Sequence, residues 1–153
     1  MVDLNIKLPD DFLEEEIRCG YTVTRKMKKV WAVELDLLNE LLRVCNKYNI
    51  KIFASGGTML GAVRHKGFIP WDDDIDMGML RKDYDKLCKI ANKEFQYPYF
   101  FQTNYTDPGT LRGHAQLRNS NTTSFLQNEG SEYSFNQGIF IDIFPMDFLL
   151  QNP

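Results

Sequence analysis

Residues 52–78, IFASGGTMLGAVRHKGFIPWDDDIDMG, hold the feature that most limits what this chain can fold into: Asp72, Asp73, Asp74 and Asp76, four carboxylates within five positions. Carboxylates held this close repel one another and raise each other's pKa, so a folded chain accommodates them best around a cation. A solvated acidic loop would also carry such charges, but Trp71, Ile75 and Met77 interleave with the acids and argue against it. Read as a strand over 72–77, the alternation turns Asp72, Asp74 and Asp76 to one side and Asp73, Ile75 and Met77 to the other. A calcium loop of the EF-hand kind would use Asp72, Asp74, Asp76 and Asp83, but Met77 stands where that loop needs glycine.

Just upstream, Gly56 and Gly57 follow an apolar run, and without a Cβ their backbone can approach another group closely. Residues 50–55 predict a strand and 58–65 a helix, so Gly56, Gly57 and Thr58 fall at a helix N-terminus, whose free N–H groups and partial positive charge suit a phosphate. A tight strand-to-helix turn would want glycine for its own sake, and the pair alone does not choose between these readings.

The rest of the chain supplies a scaffold. A short helix is expected over 9–19, with Asp10 and Asp11 as caps and Gly20 as its stop. A longer one runs from Thr22 or Thr24 to Asn49, with Met27, Val30, Trp31, Leu35, Leu38, Leu41, Leu42, Cys45 and Tyr48 as its core stripe. Residues 66–71 are irregular, 81–95 helical, 97–102 an edge strand because Pro98 cannot donate to a ladder, and 104–109 a turn. A strand over 111–118 aligns Arg112, His114, Gln116 and Arg118 on one face, a row that suits a nucleotide phosphate or base as well as it suits an exposed polar sheet face. A loop with one helical turn is expected over 119–137, and a strand over 138–144.

That last strand, GIFIDIF, carries one acid, Asp142, between isoleucines. A carboxylate buried there is costly unless it is partnered, by a core hydrogen bond or by the cation already inferred. Hard oxygen ligands of this kind suit magnesium, or manganese in its place, bridging to substrate phosphates. The chemistry that fits is displacement at phosphorus, with an acid not engaged by metal taking the proton from an attacking hydroxyl.

Bulk properties exclude several alternatives. A net charge of −3 over 153 residues, with no basic face evident, argues against nucleic acid as a partner. Cys19, Cys45 and Cys88 are odd in number and widely spaced, so neither a disulfide framework nor a zinc knuckle is indicated. No signal peptide and no run of about 20 apolar residues is apparent. A cytoplasmic protein is expected, with peripheral association at the inner face of a membrane left open.

The segments GGTMLGAVRHKGFIPWDDDIDM, MLRKDYDKL and GIFIDIFPMD resemble the LicD family of phosphotransferases, a branch of the nucleotidyltransferase-fold superfamily that includes the fukutin-type proteins. The similarity runs from about Phe12 to the C-terminus. It implies an α+β, nucleotidyltransferase-like fold with a mixed β-sheet flanked by helices. It implies one domain over 1–153, forming the N-terminal part of the full family domain. The activity implied is transfer of a phospho-alcohol, such as phosphocholine, from a CDP-linked donor to a glycan or lipid-linked sugar of lipopolysaccharide, teichoic acid or capsule. Carried over by position, the glycine motif falls on Gly56 and Gly57, the paired metal acids on Asp74 and Asp76, a third acid on Asp142 and an additional one on Asp72. Arg64 matches the motif's arginine and becomes the expected phosphate contact. The residues 65–71, HKGFIPW, lengthen the usual gap between glycines and acids. A nucleotidyltransferase that keeps the nucleotide on its product, and a metal-dependent binding module without turnover, remain alternatives.

Overall fold

The computed structural model describes residues 2–125 and 133–148. The first ordered element is a hairpin of β1 (Glu16–Arg18) and β2 (Tyr21–Val23), where the sequence predicts the end of a helix. Cys19 and Gly20 both take positive φ, +53° and +74°, the conformation of a two-residue hairpin turn, so Gly20 turns the chain back instead of ending a helix. Glu16 of the hairpin pairs with Arg18 at 2.5 Å and with Lys28 at 2.9 Å.

Helix α1 (Arg25–Lys47) begins as expected, with the Thr24 hydroxyl accepting from the Met27 N–H, and ends where Asn49 turns left-handed. Its most deeply buried positions are Trp31, Leu37, Leu41 and Val44, whereas Leu42 is 36% exposed. The buried face is therefore rotated and wider than the predicted stripe. The helix is covered on two sides, by the sheet and by residues 66–75, from which Phe68 stacks on Trp31 at 4.5 Å.

The sheet has the order β3 (Phe53–Ala54), β4 (Asp76–Leu80), β7 (Ile139–Met146), β6 (Ala115–Asn119), β5 (Tyr99–Gln102). Strands β4 and β7 run parallel and the other pairs antiparallel, which makes the mixed sheet expected of an α+β fold. The edge position predicted for the strand after Pro98 is observed in β5. Three strands differ from expectation. β6 begins at Ala115, so Arg112 and His114 of the strand expected over 111–118 lie outside it, and Leu111 takes φ +49°. β3 shortens to two residues, and its Phe53 ring lies against Gly78, where a Cβ would come within 2.4 Å of Cε2. β4 starts at Asp76, so Asp72–Asp74 are not on a strand. Trp31 Nε1 donates to the Asp72 carbonyl at 2.8 Å, and Ile69 and Ile75 bury themselves, diverting residues 66–75 over α1 before they reach the sheet.

Helix α2 (Gly56–Arg64) lies between β3 and β4, and α3 (Arg81–Glu94) between β4 and β5. Helices α1 and α3 pack on the sheet through Leu37, Leu41, Val44, Leu87 and Ala91, meeting Met77, Met79, Leu117, Ile141 and Ile143 in one apolar cluster. Burying each such aliphatic side chain is worth about 1.5–3 kcal/mol relative to exposure. Of the predicted loop 119–137, residues 126–132 lie outside the described residues, and the described parts carry turns and no helix.

Candidate functional site

Alternation along the strands sends every second residue to the sheet face away from α1 and α3. Register then aligns four polar side chains across it: Asp76 on β4 faces Asp142 on β7, Asp142 faces Gln116 on β6, and Gln116 faces Gln102 on β5. Two carboxylates, from residues 66 positions apart, thus stand on neighbouring parallel strands.

The N-terminus of α2 closes on the same place. Ser55 N–H donates to the Asp76 carbonyl at 3.0 Å, and Asp76 N–H donates to Thr58 Oγ1 at 2.8 Å, so β4 and the helix start are sewn together through the backbone of Asp76. A Cβ on Gly56 would come within 2.7 Å of Asp76 Oδ2, and one on Gly57 within 2.5 Å of Asp72 Oδ2. The glycine pair is therefore the space in which these two carboxylates sit against a helix N-terminus, and Gly56 additionally takes φ +49°.

Asp74 completes the group from the irregular segment. Burial, followed by the charges of Asp76, Asp72, Asp73 and Asp142, pushes its carboxyl up to about 6. Asp76 is raised by burial and then by Asp142 and Asp72, with His114 opposing. Both shifts report negative charge that the protein itself leaves uncompensated. Asp73 is exposed.

The predicted site residues do not all converge. Thr58 reaches the site, but as the acceptor for the Asp76 N–H. Arg64 stands at the far end of α2, about 12 Å along the axis from Gly56 at 1.5 Å per residue, and its Nε donates to His65 Nε2 at 2.8 Å. The expected phosphate contact is thus not among the acids, because a helix of this length carries its last residue away from its first. Arg118, expected at a nucleotide phosphate, is fully buried, donating to Gln102 Oε1, Gln116 Oε1 and the Gly138 carbonyl at 2.5, 2.5 and 2.6 Å. A guanidinium so enclosed supports the site from behind.

Two residues of the polar row expected from sequence, His114 and Gln116, join the site, together with one that was not singled out, Glu34. His114 Nε2 and Gln116 Nε2 both reach Asp142 Oδ1, at 2.9 and 2.7 Å, Gln116 from β6 and His114 from the position just before it. Glu34 of α1 is 2% exposed, with Oε2 lacking a hydrogen-bond partner. Burial and then Asp74, Asp73, Asp72 and Asp142 hold its carboxyl well above the usual range. Its signal was an acid three residues after Trp31 and four before Leu38, inside an apolar stripe.

A cleft of about 330 Å³ adjoins the acids, with Gly57, Thr58, Asp72 and Asp74 at one end and Trp31 and Phe68 along its wall. Arg18 and Lys28 also line it. Among the described residues, no three His, Cys, Asp or Glu side chains are arranged to hold an ion as they stand. Of the four carboxylates expected from sequence, Asp76 and Asp72 lie against Gly56 and Gly57, Asp142 stands opposite Asp76 on the neighbouring strand, and Asp74 lines the cleft. The carboxylates of Asp76 and Asp142, on facing positions of neighbouring strands, are the all-oxygen donor type that suits magnesium, which is commonly bound through one or two carboxylates, keeping waters and substrate phosphate as its other ligands.

A family profile described as LicD/FKTN/FKRP, nucleotidyltransferase domain, matches residues 49–150. The lipopolysaccharide cholinephosphotransferase LicD of Haemophilus influenzae is 42% identical over 69 residues, 45% of this chain and 26% of that protein. An uncharacterized protein of Rickettsia prowazekii is 41% identical over 71 residues, 46% of this chain and 24% of its own length. The mouse ribitol 5-phosphate transferase FKRP is 44% identical over 45 residues, 29% of this chain and 9% of the relative. The matched segments span about a quarter or less of these relatives.

Proposed function

The chain belongs to the LicD/FKTN/FKRP nucleotidyltransferase-domain family, and on that premise we propose that it takes part in moving a phospho-alcohol from a CDP-linked donor to a sugar hydroxyl of a cell-surface glycan. The observation that carries the reading is the register of β4 against β7, which puts Asp76 beside Asp142 at the glycine-lined start of α2. Two relatives named for transfer of phosphocholine or ribitol 5-phosphate favour a phospho-alcohol as the group moved.

In this reading Asp76 and Asp142 hold a magnesium or manganese ion, with Asp72 and Asp74 adding negative charge around it. The ion, when bound, neutralises phosphate charge and aligns the reacting oxygens. The remaining work belongs to the chain. The N–H groups at the start of α2 attract the anionic donor, the cleft between α1, α2 and residues 66–75 excludes water from one part of the substrate, and a carboxylate not engaged by the ion accepts the proton of the attacking hydroxyl. No described helix is long and apolar enough to cross a membrane.

The test is binding of CDP-choline, CDP-ribitol and CDP-glycerol by calorimetry with and without magnesium, for the native chain and for Asp76→Asn. Magnesium-dependent binding of one donor that the variant loses supports the reading; binding indifferent to both metal and variant overturns it. Following a doubly labelled donor distinguishes transfer of the phospho-alcohol from transfer of the nucleotide.

A further inference from the structure

Asp142 can serve an ion only if its carboxylate is held in one orientation, and its own strand does not provide that hold. The structure provides it from β6 and β5. Among the described residues, the donors to the Asp142 side chain are His114 Nε2 and Gln116 Nε2, and both reach Oδ1. Oδ2 is thereby the oxygen left to face a ligand.

What aims Gln116 is Arg118. A guanidinium has donors only, so the Arg118 Nη2 contact at 2.5 Å requires the oxygen of the Gln116 amide, and the nitrogen must then point at Asp142. Arg118 is itself clamped: Nε donates to Gln102 Oε1, Nη1 to the Gly138 carbonyl, and its guanidinium stacks over Phe140 at 4.5 Å. Gln102 is fixed in turn, with Nε2 donating to Asp107 Oδ2 at 2.7 Å and to the Asn136 carbonyl at 2.9 Å. Donation runs outward from Arg118 along two arms, through Gln102 to Asp107 on one side and through Gln116 to Asp142 on the other.

Stability alone does not account for this row. Burying a guanidinium costs several kcal/mol before its bonds are counted, and apolar residues of similar volume commonly serve a core as well or better. The same strands fill their other face with Leu117, Ile141 and Ile143. Gln116 and Gln102, both 2% exposed, and Arg118, at 0%, lie in the row that ends on the acidic pair.

We propose that Gln116 and Arg118 are positioning residues: Arg118 sets the amide of Gln116, and Gln116 with His114 holds Asp142 so that Oδ2 is presented alongside Asp76 to a divalent cation. The assignment rests on the reading of Asp76 and Asp142 as cation ligands. It also replaces a phosphate-binding role for Arg118 with an orienting one. Partners standing behind a ligand in this way commonly matter roughly 10- to 100-fold to metal affinity.

The test is manganese binding to the full chain, followed by the loss of the free-ion electron paramagnetic resonance signal, for native protein, Asp76→Asn, Gln116→Met and Gln116→Glu, with melting temperatures recorded alongside. Gln116→Met keeps length but removes both amide contacts. Gln116→Glu keeps the contact with Arg118, which protects the fold, and turns an acceptor toward Asp142. Both variants are expected to bind manganese about tenfold or more weakly while remaining folded at the assay temperature. A lowered melting temperature with native affinity in the two Gln116 variants would make the row merely structural and overturn the proposal. A native chain that binds manganese while Asp76→Asn does not keeps the ligand assignment standing whatever the Gln116 variants do. Native protein that binds no manganese at millimolar concentration overturns both.

Discussion

Beneath α1 and α3, the sheet presents Met77, Leu117, Ile141 and Ile143, all at most 6% exposed and part of one apolar cluster. One residue along the same strands, the other face presents Asp76, Gln116 and Asp142. The first face is bound by packing, which is non-directional and tolerant of chemistry so long as volume is kept. The second is bound by hydrogen bonds that each name a donor and an acceptor, and it ends in carboxylates that the protein does not neutralise. A strand can carry both because its side chains alternate, so stability is gathered on one side and spent on the other.

Removing volume from the packed face is expected to give the largest effect. Ile143→Ala should destabilise the fold by about 2–5 kcal/mol in urea unfolding, yet leave manganese affinity unchanged under conditions where the variant is folded. Coupled losses of both would mean that the two faces are not separable. Next in size is Gly57→Ala, whose Cβ would meet Asp72 Oδ2 at 2.5 Å. Displacing that carboxylate should weaken magnesium-dependent donor binding by about tenfold, comparable to 1.4 kcal/mol, with a smaller change in stability. Gly57→Ala binding like native protein would remove Asp72 from the site.

Glu34 complicates the division, because it sits on α1 yet feels the acids of the other side. Its folded pKa lies above the unfolded value, so above the unfolded pKa its ionisation favours the unfolded chain. Glu34→Met should therefore stabilise the protein by about 1 kcal/mol at pH 8, with the gain shrinking toward pH 5. Loss of manganese affinity in this variant would instead place Glu34 among the site's working groups. The smallest expected effect is on pH dependence. Asp74 binds its proton more tightly when folded, up to about 6 against 3.8, so its contribution is present below the lower value and lost as pH rises through the upper. Through this group alone, the metal-free protein should melt a few degrees lower at pH 7 than at pH 4, and magnesium should recover the difference. Ion pairs such as Glu94 with Lys47 and Asp147 with Arg81 work in the opposite sense, their carboxylates being lowered, so Asp74→Asn measured at both pH values isolates the contribution of Asp74.

Much of this arrangement was legible before any coordinates. The clustered acids, the glycine pair at a helix start and the lone Asp142 in an apolar strand each violate a local preference, and a violation is visible one residue at a time. The hairpin at Cys19–Gly20 was misread because Asp10 and Asp11 look like caps and Gly20 like a helix stop, whereas the pairing of residues 16–18 with 21–23 turns the chain back there. The strand expected through Asp72–Asp76 failed for a similar reason: Trp31 and Phe68 draw residues 66–75 onto α1, an attraction between segments far apart in the chain. Arg64 and Arg118 were chosen by charge and motif, and neither property tells which way a helix carries a residue or whether a side chain is enclosed.

By itself, then, the sequence determined that four carboxylates crowd within five positions, that a glycine pair opens a helix and that Asp142 interrupts an apolar strand. These are read through charge repulsion, backbone freedom and periodicity, all local quantities. Only the tertiary structure decided which acids stand together. Pairing Asp76 with Asp142, and aiming Gln116 through Arg118, depends on the register of β4 against β7 and of β7 against β6. Register is set by the sum of packing across the whole sheet, and a shift of one residue would turn every one of these side chains to the opposite face.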